Sequence, residues 1–348
     1  MRPRVAAALR RFDDKFGWSW LGACLSVAII AAAAVVLYRN LRGIDVGRVL
    51  DAMQAIRPRD VAVAAGCVAG AYFTLTFYDL FALRTIGRRD LSYAVAALAG
   101  FTSYAVGHNV GASVFTGGAV RYRIYSTYGL SAIDVARICF VAGLTFWLGN
   151  AAVLGLGISI TPSAATAIDQ LPPGVNRTLA LVTLSILLMY VAWVWHTPRV
   201  IGRHNWEVAL PNGPLTLVQI AIGIVDLGCC TAAMYMLLPG EPYIGFVALA
   251  VIFVAATLLG FASHSPGGLG VFDAAMLIAL LEYEYDKEQL LAGLLLFRLL
   301  YYITPFVFAL AILGGRELYL SLRSRPRRAI AAEQDGPASP PGADRRAP

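Results

Sequence analysis

Apolar residues run along this chain in long blocks, and polar residues gather between them in short clusters rich in arginine, glycine and proline. Stretches such as Leu21–Tyr38, Leu179–Trp195 and Tyr243–Ala262 have the length of about 20 residues that crosses a hydrocarbon core. The pattern predicts spans at 18–38, 60–83, 133–158, 177–195, 214–237, 243–263, 269–283 and 289–313. Residues 39–58 read as a surface helix, with Val46, Val49, Leu50 and Met53 on one face and Arg48 and Asp51 off it. The expected fold is all-α: a polytopic helical membrane bundle of about eight crossings plus a re-entrant segment.

Two segments interrupt the helical pattern. Residues 261–273 carry His264, Pro266, Gly267, Gly268 and Gly270 and end in Asp273. Backbone groups freed at membrane depth are tolerated only where protein buries them or a watery cavity meets them, so this break points to a working site or, more plainly, to a tight turn between two spans. Residues 91–120 are apolar but broken by Gly107, His108, Asn109 and Gly111, then by Gly117 and Gly118. Basic clusters on both sides of that segment predict a hairpin that dips in and returns. The two breaks echo each other, each placing a histidine ahead of a glycine-rich run, as structural repeats or chance would.

Charge supplies the topology. Lys and Arg flank the apolar blocks at 84–89, 121–137, 199–203 and 316–328, which places those ends and both termini in the cytoplasm. Segment 159–176 lacks Lys and Arg and 282–288 is acidic, so both read as external. Arg39, Arg42, Arg48, Arg57 and Arg59 run against this rule, and a helix lying at the interface explains them only in part. The chain divides into a basic N-terminus (1–17), a transmembrane domain (18–315) and a basic, then disordered, tail (316–348).

Hydrophobic residues make up 58% of the chain and charged ones 14%, a balance far from that of a soluble domain. The net charge of +7 sits at the ends of apolar blocks, which points to lipid headgroups and topology and away from nucleic acid. Only Lys15 and Lys287 are lysine, and no Gly-Lys pair exists, so a Walker A loop is excluded. The five cysteines all lie in apolar blocks and read as core residues, and the histidines lack metal-ligand spacing. No cofactor is expected.

Charges inside spans each need a reason. Asp79, Asp226, Asp273 and Arg298 are the clearest, with Arg137 closer to an interface, while topology signals alone would place Arg121 and Arg123. The arginines could hold a lipid phosphate, and the aspartates could attract a cationic headgroup or carry a proton. Alternatively, these residues pair inside the bundle and fix its packing. His108 and His264, both beside glycine breaks, could titrate near neutral pH or simply satisfy helix ends.

The motifs Val-Gly-His-Asn…Gly-Gly-Ala-Val-Arg (106–121), Ser-Pro-Gly-Gly-Leu-Gly-Val-Phe-Asp (265–273) and Phe-Arg-Leu-Leu-Tyr-Tyr (297–302) resemble the lysylphosphatidylglycerol synthase transmembrane-region family. That family includes the flippase-like half of multiple peptide resistance factor. The resemblance covers roughly residues 15–315 and implies a bacterial inner-membrane bundle that handles phospholipid. It marks Gly118, Arg121, Pro266, Gly267, Gly268, Gly270 and Arg298; where the family usually has Glu, this chain has Asp273. No aminoacyl-transferring domain is expected in the short stretch after the last span.

The sequence therefore predicts a non-enzymatic inner-membrane protein that binds phospholipid and moves it between leaflets. An intramembrane lipid-modifying transferase using Asp273 or His264 as base is the rival reading, and a non-catalytic scaffold for a lipid-synthesis complex is a third. Phospholipids and the membrane are the expected partners, with a second copy of the chain or a lipid-synthesis protein left open.

Overall fold

The computed structural model describes residues 45–196, 199–203 and 206–318, together with Val35 and Tyr38. The expected first span at 18–38, the N-terminal 1–17 and most of the tail lie outside the described residues.

Among the described residues five helices are long and apolar enough to cross a membrane: α2 (Pro58–Thr85), α5 (Ala132–Ile160), α7 (Pro173–His196), α8 (Gly213–Leu237) and the helix Lys287–Leu318. The last begins as α11 (Lys287–Arg298) and continues through a π turn at Leu299–Ile303. A short helix, α1 (Val46–Ala55), precedes them and buries Val49 while leaving Val46 and Leu50 exposed, so it packs less of its apolar face than its pattern suggests. The only regular strands among the described residues, β1 (Val200–Arg203) and β2 (Trp206–Ala209), form a small antiparallel ribbon.

The segment predicted to dip and return is a helical hairpin of α3 (Tyr93–Val110) and α4 (Ser113–Tyr125). Its turn is made by Gly111 at φ 84° and Ala112 at φ 44°, both left-handed. The expected crossings at 243–263 and 269–283 take a related form. They are α9 (Phe246–Ala262) and α10 (Val271–Leu281), of 17 and 11 residues, joined by a one-turn 3-10 helix at Pro266–Gly268. At 1.5 Å per residue, α10 is roughly 16 Å long, well short of the hydrocarbon thickness. Among the described residues there are therefore two broken hairpins where the sequence pattern suggested one, because the apolar composition of 243–283 does not reveal that α10 is too short to cross.

The hairpins come from opposite ends of the bundle. At one end Arg88, just past α2, bonds Asp90 at 2.9 Å and the Tyr128 carbonyl at 3.1 Å, and holds the Asp90 carboxyl below its ordinary range. Arg123 bonds Glu317 at 2.9 Å and Arg316 bonds Thr127 at 3.0 Å, tying the base of the α3–α4 hairpin to the end of the last helix. The β-ribbon packs there too, with Val208 in a cluster with Leu83, Ile124, Tyr125 and Val135. At the other end α6 (Pro162–Asp169) packs on both α9 and α10. Arg88, Arg123 and Arg316 thus gather at one end, while Arg48, Arg57 and Arg59 lie with α1 and the start of α2 at the other, against the simple charge rule.

Helix α8 runs along α2 and α5 through the middle. A Cβ at Gly149 would stand 2.7 Å from the Gly223 Cα, so the backbones of α5 and α8 meet without side chains between them. In lipid, where no hydrophobic force drives helices together, such close approach supplies the packing. Next to it Gln219 donates to Thr145 at 2.7 Å.

Candidate functional site

The two hairpin tips meet. A Cβ at Gly111 would lie 3.1 Å from the Pro266 Cα and 3.4 Å from the His264 carbonyl. One at Gly267 would lie 3.5 Å from the His108 carbonyl. The echo between 108–118 and 264–272 thus corresponds to two like breaks brought face to face. Glycine is needed at Gly111 for both its φ and the close approach.

Beside the tips lies a cavity of about 160 Å³. Its wall takes Tyr104 and His108 from α3, Asp226 and Cys230 from α8, Phe253 from α9, Phe272 from α10, and Tyr301 and Tyr302 from the π turn. Val114, Phe115 and Phe261 line its mouth, and Phe115 is 81% exposed, an apolar rim of the kind that faces lipid. The π turn positions the tyrosines: the Tyr301 carbonyl accepts from Tyr72 at 3.0 Å and the Tyr302 carbonyl from Asn109 at 2.9 Å. The widened turn thereby links the last helix to α2 and to the first hairpin.

The intramembrane charges fall into two pairs and a remainder. Arg121 donates to Asp79 through Nε and Nη2, the shortest contact 2.7 Å, and Tyr125 adds a hydrogen bond to Asp79 at 2.8 Å. The Arg121 guanidinium also lies 4.7 Å from the centre of the Tyr104 ring. Asp79 is fully buried and Arg121 nearly so. Arg298 grips Asp273 in two parallel hydrogen bonds of 2.7 and 2.6 Å and donates to the Gly267 carbonyl at 3.1 Å. Asp273 in turn accepts from the Gly270 N–H at 3.0 Å, holding the start of α10. This second pair keeps 12% and 14% side-chain exposure.

Asp226 is the remainder. Tyr78 donates to its Oδ2 at 3.1 Å, while its Oδ1 is buried without a partner. His108 likewise has a buried Nδ1 without a partner, its ring stacked 5.9 Å from Tyr301.

The other sequence-predicted residues divide by location. Gly267, Gly268 and His264 line the cavity. Pro266 is the contact for Gly111, and Gly270, at φ 80°, opens α10. His264 sits at φ 55° with Nδ1 2.9 Å from the Ala262 carbonyl, so it serves the turn as well as the wall. Gly118 faces Cys139 of α5 and does not reach the cavity. Sequence reasoning named Tyr301 and Tyr302 only as part of a motif, and missed Tyr104 in the aromatic wall. The one-turn spacing of Tyr104 and His108 on the face that carries Gly100 and Gly107 is the signal that could have found its α3 part.

Comparison with known proteins agrees with this architecture. The chain is 30% identical to the uncharacterized protein slr0712 of Synechocystis, over 88% of this chain and 94% of that one. It is 27% identical to the inner membrane protein YbhN of Escherichia coli, over 89% and 95% respectively. Phosphatidylglycerol lysyltransferase of Staphylococcus aureus is 23% identical over 85% of this chain, which spans only 34% of that protein. The lysylphosphatidylglycerol synthase TM region matches residues 20–309, and the chain is a membrane protein of that family.

Proposed function

We propose that the protein binds phospholipid and moves it between the leaflets of the bacterial inner membrane, without altering it chemically. The observation that carries this reading is the meeting of two broken hairpins, from opposite ends of the bundle, at a cavity with unpartnered polar atoms and an apolar, exposed mouth. A headgroup crossing hydrocarbon loses hydration worth several kcal/mol per polar group, and the polar atoms that Asp226, His108 and the tyrosines offer in this cavity lower that cost. The acyl chains stay outside, against Val114 and Phe115.

Arg298 is the better phosphate contact of the two arginines. It keeps some exposure, and its third nitrogen reaches only the Gly267 carbonyl of the hairpin turn. Arg121 is sealed between Asp79 and Tyr104, which supports a packing role. Asp273, considered above as a base, has both oxygens engaged, which favours translocation over lipid modification. The basic end of the bundle is assigned to the cytoplasm. Mass analysis of lipid recovered from proteoliposomes, after leaflet access has been measured, tests the proposal. Relocated lipid of unchanged mass is expected; a new lipid mass would establish the transferase reading instead.

A further inference from the structure

We propose that Asp226 is an exchange site, holding either a proton or the ammonium group of a lipid headgroup and never both. The inference rests on the translocation reading above and names the class of headgroup it serves. Asp226 is 5% exposed and lines the cavity, with Oδ1 unpartnered. Among the described residues no cation touches it. Both arginines near the cavity are committed, Arg121 to Asp79 and Arg298 to Asp273. A lone carboxylate at this depth has to be neutralised, because leaving one charge buried and unpaired costs far more than pairing or protonating it.

The groups that face Asp226 do not supply that charge. From α2 come the hydroxyls of Tyr72, Thr74 and Tyr78, from α3 Tyr104 and His108, and from the last helix Tyr301. Its own helix adds the thiols of Cys229 and Cys230, while α5 and α9 present Phe146, Phe253 and Thr257, which do not titrate. Two ways of neutralising Asp226 remain. With the cavity holding water only, a proton sits on the carboxyl. When an ammonium group arrives, the aromatic wall and the carboxylate bind it together. The displaced proton leaves through cavity water, where the unpartnered Nδ1 of His108 can accept it in passing. One proton is released for each ammonium bound, and the two cargoes share one carboxylate, so their movements oppose each other.

The test uses proteoliposomes of phosphatidylglycerol containing a minor fraction of phosphatidylethanolamine, with a pH difference imposed across the membrane. An impermeant amine-reactive reagent reads ethanolamine in the outer leaflet, and periodate reads the glycerol headgroup. Ethanolamine lipid should accumulate in the leaflet facing the acidic compartment, by up to about tenfold per pH unit for one-for-one exchange with the membrane potential held at zero by potassium and valinomycin. Phosphatidylglycerol should not follow the gradient. Asp226→Asn should abolish the gradient response; if that variant does not fold, the wild-type responses to the two gradient directions decide alone. Symmetric movement of both lipids in either gradient would overturn the exchange and leave translocation standing. No movement of either lipid under any gradient would overturn both.

Discussion

Gly111 and Pro266 stand in backbone contact, one at the tip of each broken hairpin, so close that a methyl group on Gly111 would fit only if the Pro266 backbone gave way. A Cβ at Gly111 meets the Pro266 Cα at 3.1 Å, on a residue whose φ of 84° already disfavours any side chain. Gly111→Ala should therefore cost about 1–3 kcal/mol and part the tips. Its thermal midpoint in detergent should fall, and lipid movement per folded molecule should change with it. Gly118→Ala, which faces Cys139 away from the cavity, should leave that movement unaltered.

Arg298 and Asp273 are predicted to act as a unit. Removing either partner alone strands the other, at about 3–5 kcal/mol for a buried pair and less here, where both keep some exposure. A double-mutant cycle of Arg298→Ala and Asp273→Ala should show coupling of about 1–3 kcal/mol. The double variant then separates roles: recovered stability without lipid movement places Arg298 at the lipid, whereas recovery of both would make the pair structural. Asp273→Glu should be tolerated, since it keeps the charge and lies in the first turn of α10.

Asp79, Arg121 and Tyr125 should behave as stabilising residues. Arg121→Ala should destabilise by about 3–5 kcal/mol because it leaves Asp79 fully buried and unpaired. Tyr125→Phe removes one charge-assisted hydrogen bond and should cost about 1.5–3 kcal/mol. Denaturation of each purified variant gives these losses. Arg121→Ala molecules that do fold should still move lipid.

These residues also show how far the sequence could be read. The long spans were legible because their length and apolar composition are set by the bilayer, and the first hairpin because arginines bracket it on both sides. The second hairpin was not, since 282–288 is acidic and gives no positive-inside signal at its base. At the site, the pattern named every charged residue but not its partner: Asp79 and Arg121 are 42 positions apart, and Asp273 and Arg298 are 25. Pairing over such distances depends on how the hairpins dock, and that docking also isolates Asp226. The π turn that presents Tyr301 and Tyr302 has no local marker beyond a polar patch before Pro305.

Topology offers an independent check. In a background without native cysteines, single cysteines at 126–128 and 316 should label from the cytoplasmic side, and those at 284 and 286 from outside. The two-hairpin arrangement further requires that 90 and 128 share a side, and that 245 and 284 share the opposite one. Labelling of 245 and 284 from different sides would contradict it.

The most direct measurement of the central claim is the initial rate at which labelled phospholipid changes leaflet in proteoliposomes, followed as protein copies per vesicle increase from none. The account predicts a rate that rises in proportion to copy number, falls to the protein-free value in Arg298→Ala, and returns lipid of unchanged mass. A rate equal to that of empty vesicles at every copy number, from protein shown to be folded, would contradict it.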